Sequence, residues 1–372
     1  MNSVLLIHPN AERYGADRAL LVLAGVLLDR RLRVAVVLGQ DGPLRSDLEQ
    51  MGVTVALREV GALRRVEGMA GVARLLRRLP RVVRELSPLA GDYDLVHVNS
   101  SVVVGGVLAG AAARKPVVVH VRESYAGRRW MWWAWCLVLS VVARRVVAVS
   151  EAIRAEAPPW LRRRTVVVAD CPSLPAEQAE GGEGIVCIGR INDWKGQDVL
   201  VRALADSSLR ALRPAVTFVG DVYPGGEGYR RQLQELVAQL GLEDRVTFAG
   251  YTDAPATIAR RAGIAVFPSR RPEPFGFALV ECMAMGHACI ATGAGGPADI
   301  VDHGVTGLLV PPDDAAALAR SIACLIRDPA LRARIGAAAR THVRERYRPD
   351  RHGDAIADVY RQALRAGRKG AA

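Results

Sequence analysis

Residues 267–281 read FPSRRPEPFGFALVE, and the fold turns on this stretch. The apolar run before it, Ile264-Ala265-Val266-Phe267, has the length and composition of a buried strand. Pro268 ends that strand, and a basic, Pro-rich loop follows at residues 269–274. Phe275-Gly276-Phe277 then opens a helical pattern that runs to Met285, with Gly286 placed to stop it. A strand that feeds a loop and a helix N-terminus leaves backbone N–H groups free at the strand's carboxyl end, where open α/β sheets bind anions. Two carboxylates bracket the turn with E-x7-E spacing, Glu273 in the loop and Glu281 in the helix. Carboxylates repel phosphate, so this pair suits sugar hydroxyls, which donate charge-assisted hydrogen bonds. The competing reading is a loop charge and a solvated helix face.

A second motif lies upstream. Ile185-Val186-Cys187-Ile188 reads as a strand and leads into Gly189-Arg190-Ile191-Asn192-Asp193-Trp194-Lys195-Gly196-Gln197. An arginine at a strand end and a lysine five residues on can converge on one diphosphate, the first as a two-pronged donor and the second as a compact charge.

With these residues in hand, the segment EPFGFALVECMAMGHACIATGAGGPADIVDHGVTGLLVPPDD resembles the donor-site segment of retaining family 4 glycosyltransferases of the GT-B type. The G-R-x4-K-G pattern at Arg190 and Lys195 is similar to that family's as well. The resemblance implies a nucleoside diphosphate sugar (UDP- or GDP-sugar) as co-substrate, with Arg190 and Lys195 on its diphosphate. Glu273 and the backbone of Phe275, Gly276 and Phe277 would hold diphosphate and sugar, and Glu281 the ribose. It also implies that Gly15, in the loop after the first strand, approaches the phosphates, and that His120 stands beside the donor sugar. Catalytic roles then fall to His120, Glu273, Arg190 and Lys195. The acceptor is expected to be a lipid-linked or polysaccharide glycan. No cofactor and no metal is expected: the only Asp-x-Asp, Asp92-Tyr93-Asp94, leads into a strand instead of following one.

The chain of 372 residues suits two domains. Strand and helix patterns alternate throughout, the signature of doubly wound parallel sheets. The expected architecture is α/β, GT-B: two Rossmann-like domains facing across a cleft. Residues 1–175 form the acceptor-side domain and 176–346 the donor domain. Residues 347–372 form a terminal helix crossing back to the first domain, with a disordered tail. Residues 169–184, polar with Pro172, Pro175 and paired glycines, read as the interdomain linker. Pro80 is expected to kink or split the helix over residues 69–86. Asp17 reads as an N-cap, and Glu123 as a candidate acceptor-side carboxylate.

Net charge is +12, and it is uneven. Residues 1–175 carry 25 basic and 15 acidic groups, against 25 and 23 in the remainder, so the positive field belongs to the first half. Residues 128–145 read RRWMWWAWCLVLSVVARR, too short to span a bilayer. The segment reads as a buried helix, or as a face on an anionic membrane with Trp130, Trp132, Trp133, Arg128 and Arg129 at the headgroups. Six cysteines lack C-x-x-C spacing and no secretory leader is visible, so the expected location is the cytoplasm, or peripheral at the inner face of the plasma membrane. Nucleic-acid binding is not expected, because the arginines are dispersed and lack interleaved aromatics. Gly293-Ala294-Gly295-Gly296-Pro297-Ala298 imitates a dinucleotide fingerprint but comes late in its domain, and reads as a tight turn. Two alternatives share the scaffold: a sugar-nucleotide epimerase and a non-catalytic partner subunit.

Overall fold

The computed structural model describes residues 1–63, 68–125, 127, 129–182, 184–222 and 225–368. Arg128 and the tail residues 369–372, both subjects of expectations above, lie outside the described residues. The chain divides into two compact units, Met1–Pro172 with Tyr347–Ala372, and Ser173–Arg346.

The first unit is built on seven strands: β1 Ser3–His8, β2 Arg33–Leu38, β3 Thr54–Leu57, β4 Leu95–Val98, β5 Val117–Val121, β6 Arg145–Ala148 and β7 Thr165–Val167. They pair in the order β3-β2-β1-β4-β5-β6-β7, each pair parallel. Runs of Val, Leu and Ile make this arrangement because helices cover both faces of the sheet, so every strand position must tolerate burial. Central β1 is buried at all six positions. The second unit has six strands: β8 Ile185–Ile188, β9 Val216–Val219, β10 Val246–Gly250, β11 Ile264–Phe267, β12 Ala288–Thr292 and β13 Leu308–Val310. Their order is β10-β9-β8-β11-β12-β13, again wholly parallel. The chain therefore reverses its direction of travel across the sheet between β1 and β4 in one unit, and between β8 and β11 in the other. Those are the points where a doubly wound sheet opens a crevice at its carboxyl edge.

The terminal helix Pro349–Arg368 belongs to the first unit, inserting Ile356, Val359, Tyr360 and Ala363 into the core that holds Leu20, Leu23, Val118 and Val147. Two local expectations are narrowed: Pro80 does not split its helix, and Asp17 does not cap its own. The helix Gly68–Gly91 runs unbroken through both Pro80 and Pro88. Val82, Leu86 and Ala90 are fully buried along it, and this packing outweighs the lost backbone bonds. Asp17 is not the N-cap of the helix Gly15–Asp29: Tyr14 is, and the Asp17 carboxylate reaches back to accept from the Tyr14 N–H at 3.0 Å.

Candidate functional site

In the second unit, the loops after β8 and β11 meet at the switch point. Asn192 Oδ1 accepts from Lys195 N at 3.0 Å and forms the 3-10 turn Asp193–Lys195. Gln197 Nε2 donates to the Arg190 carbonyl at 2.8 Å, fixing the arginine's backbone. From this turn Lys195 Nζ donates to Glu273 Oε1 at 2.7 Å, and the Ser269 hydroxyl donates to the same oxygen. Burial pushes the Glu273 pKa up, but the Lys195 charge and the hydrogen bonds from Lys195 and Ser269 outweigh it and hold the carboxyl below the usual range. The two sites that the sequence offered separately, cationic and carboxylate, are one ion pair.

Arg270, in the basic loop after β11, braces this arrangement. Its guanidinium donates through both terminal nitrogens to Asp198, at 2.8 and 2.6 Å, and through Nε to Asp313 at 2.9 Å. Its backbone N–H donates to the Trp194 carbonyl at 2.8 Å. The planar fork joins the Glu273 loop to the helix Gln197–Leu204 that carries the Lys195 turn. No sequence signal short of the fold pairs residues 198 and 270.

The helix Phe277–Met285 starts at the expected place. Its N-cap, Gly276, has φ 128°, a conformation a side chain rarely adopts, and the first amides of the helix point back toward the loop. Phe275 packs edge-on against Phe277 with centroids 5.4 Å apart. Glu281 lies within the helix and is 7% exposed, so the solvated-face reading does not hold. The loop after β12 backs the Glu273 loop. Gly295 forms a parallel bridge with Glu273, and Gly296 N donates to the Glu273 carbonyl at 2.7 Å. The glycines that imitate a dinucleotide fingerprint are there for this close approach.

In the first unit, Gly15 is the first residue of its helix, directly after the loop from β1, and is half-buried without a left-handed backbone. Around it the β1–β4 switch point holds a buried polar network. Arg122 Nε donates to Asn99 Oδ1 at 3.1 Å, so the Asn99 amide nitrogen faces His8 Nδ1 at 3.0 Å and His8 Nε2 carries the proton donated to Asp17 at 2.8 Å. Arg122 also pairs with Asp170, both side chains buried. Glu123 accepts from the hydroxyls of Ser100 and Ser101, and Ser101 shares a 2.8 Å bond with Tyr125.

The structure corrects the placement of His120. It is the fourth residue of β5, one short of the strand's last residue, and its ring is fully buried beside His97, centroids 5.5 Å apart, with Tyr360 of the terminal helix bonded to His97 Nδ1 at 2.7 Å. The ring therefore lies in the sheet–helix interior and does not open to solvent at the carboxyl edge. The first residue past the strand is Arg122. Burial, reinforced by the Arg122 charge, lowers the pKa of His97 to about 3 and that of His120 well below 6.5; burial also lowers that of His352, whose Nδ1 faces the Ala169 carbonyl at 3.0 Å. These rings stay neutral in the folded unit, while the unfolded chain takes up protons below about pH 6.5. Their contribution to stability is therefore complete above that pH and declines as pH falls toward 3. The melting temperature of the first unit should drop between about pH 7.5 and about pH 4.5. His97→Gln and His120→Gln should flatten the profile, and a flat wild-type profile would refute the account.

Trp132 is likewise corrected as a headgroup residue. It is 2% exposed, stacks on Tyr125 at 4.4 Å, and donates from Nε1 to the Glu156 carbonyl at 3.1 Å. Asp94 accepts from the backbone N–H groups of Asn2 and Ser3 at 2.6 and 3.1 Å, at the amino edge of the sheet and away from the crevice.

With this geometry established, similarity to known proteins defines the class. Residues 175–342 match the family model described as glycosyl transferases group 1, and residues 14–170 match that of glycosyltransferase family 4. Together they span both units, and the chain belongs to the group 1/family 4 glycosyltransferases; its two parallel-sheet units are the GT-B pattern. Among relatives, it is 34% identical over 199 residues to the lipopolysaccharide core biosynthesis mannosyltransferase LpcC of Rhizobium leguminosarum bv. viciae, covering 51% of this chain and 56% of that one. It is 37% identical over 190 residues to a D-inositol 3-phosphate glycosyltransferase of Streptomyces bingchenggensis, covering 49% and 41%. These alignments span about half the length of the curated relatives. Anabaena HepE, solved with UDP and glucose, superposes with a TM-score of 0.81 at 25% identity over 95% of this chain and 98% of that one. Among the described residues no helix is long and apolar enough to cross a membrane.

Proposed function

We propose that the chain transfers a glycosyl group from a UDP- or GDP-sugar to an acceptor hydroxyl with retention of configuration. The observation that carries this reading is the meeting of the Arg190–Lys195 loop with the Glu273–Phe277 loop at the β8–β11 switch point. The nucleoside diphosphate lies at the carboxyl edge of the second sheet. Arg190, Lys195 and the first amides of the helix Phe277–Met285 stabilise negative charge as it builds on the leaving diphosphate. When the donor binds, Glu273 accepts from the sugar hydroxyls and Glu281 from the ribose. Retention follows a front-face return in which the departing phosphate takes the acceptor's proton. Acceptor recognition falls to the first unit, where Ser100, Ser101 and Glu123 follow β4 and β5, and the acceptor is a lipid-linked or polysaccharide glycan. HepE's complexes with UDP and with UDP-glucose support the donor class.

Thermal-shift screening with UDP-, GDP- and ADP-sugars identifies the donor, and product analysis with and without acceptor separates transfer from epimerisation. Glu281→Ala should lower transfer at least about tenfold, or about 1.4 kcal/mol, mainly through a raised donor KM. An unchanged KM would remove the ribose contact from this residue.

A further inference from the structure

The helix Arg129–Val142 buries one side and leaves a continuous apolar stripe on the other. Trp132, Cys136 and Leu139 face the core. Trp130, Ala134, Leu137 and Val141 face outward at spacings of four, three and four, which puts them in one line about 16 Å long. Trp130 is 77% exposed, Leu137 59% and Val141 86%, so among the described residues nothing in the first unit covers the line. Beside it Trp133 packs edge-on against half-exposed Trp160 at 5.7 Å, and the Arg129 guanidinium lies 5.6 Å from the Trp133 ring. Exposed Arg129 and Arg144 stand at either end. Between Glu123 and Glu151 the chain has no acidic residue.

We propose that this stripe seats the first unit on an anionic lipid surface, with the helix lying in the headgroup plane. Charge decides among the occupants. A second copy meeting the stripe by two-fold symmetry would set Arg129 against the other copy's Arg144 in an antiparallel pairing, with no carboxylate in the segment to answer either. An anionic bilayer presents apolar chains to the line and phosphate to both ends at once. Tryptophan at the end of the line and alongside it suits the same boundary. The proposal does not depend on the donor assignment.

The test is flotation of the full chain with vesicles of phosphatidylglycerol and phosphatidylcholine, and with phosphatidylcholine alone. The wild-type chain should float with the anionic vesicles at low salt and be released by high salt. Leu137→Glu should weaken the partition at least about tenfold, and Arg144→Glu about fivefold or more. Both variants should keep the wild-type melting temperature, since both side chains point outward. A wild-type chain that stays soluble at low salt overturns the proposal, as does a Leu137→Glu variant that binds as well as the wild type. So does light scattering that shows a dimer dissociated by Leu137→Glu, which would give the stripe to a second copy.

Discussion

Lys195→Ala should lower glycosyl transfer by about a hundredfold and destabilise the second unit at the same time. The first effect follows from the proposed chemistry: the Lys195 ammonium is in contact with Glu273 at the switch point, whereas the nearby Arg270 guanidinium is already committed to Asp198 and Asp313 and does not replace its charge against a leaving diphosphate. The second follows from the ion pair. Glu273 and Lys195 side chains are only 11% and 21% exposed, so deleting the lysine strands a carboxylate largely out of water. Breaking such a pair costs about 3 kcal/mol, the lower end of the range for buried pairs because these two retain some solvent. The pH dependence should also change sign. In the wild type the Glu273 pKa lies below the usual value, so its contribution is present above the unfolded pKa and is lost as pH falls through the folded one. Without Lys195, burial is opposed only by Ser269, the pKa rises, and ionising Glu273 then opposes folding as pH increases. Transfer assays paired with melting curves across pH distinguish this from a purely chemical role. Near-wild-type transfer in Lys195→Ala would end the diphosphate assignment.

Gly295→Ala should abolish the donor-induced thermal shift and lower the melting temperature of the second unit. Gly295 has φ 75°, and a Cβ there would sit 2.2 Å from the Glu273 carbonyl oxygen and 2.7 Å from its nitrogen. The φ alone costs about 1–3 kcal/mol for a residue with a side chain. The contact with backbone has no flexible end to yield, so the loop that carries Glu273 must move. A total near 3 kcal/mol corresponds to roughly 6–12 °C in a unit of this size. Gly304→Ala is the control: φ is 78° there, but a Cβ would meet nothing within 4 Å. It should show the strain without the loss of donor response. Equal donor response in the two variants would show that the β12 loop does not hold the Glu273 loop in place.

Much of the second unit was legible in sequence because its signals are local. The boundaries at Pro268, Gly276 and Gly286 depend on backbone chemistry within a few residues, and the structure places β11 and the following helix accordingly. The first unit was harder to read. A histidine near the end of a strand and a tryptophan in a run of tryptophans look the same in sequence whether they face a crevice or a core. The strand bounds were legible, but the His120 ring lies buried beside His97, whose ring is bonded to Tyr360 of the terminal helix packed over that side of the sheet.

The sequence by itself determined the two doubly wound sheets and the strand–loop–helix turns that carry Arg190, Lys195, Glu273 and Glu281, since hydrophobic period and turn residues act over short spans. Only the tertiary structure decided that Lys195 and Glu273, 78 residues apart, form one pair, that Arg270 and Gly295 hold their loops, and which tryptophans face outward. The physical reason is that a residue's partner across a parallel sheet, and the face it presents, are set by strand order and by the helix laid over it, and both come from packing between segments distant in the chain.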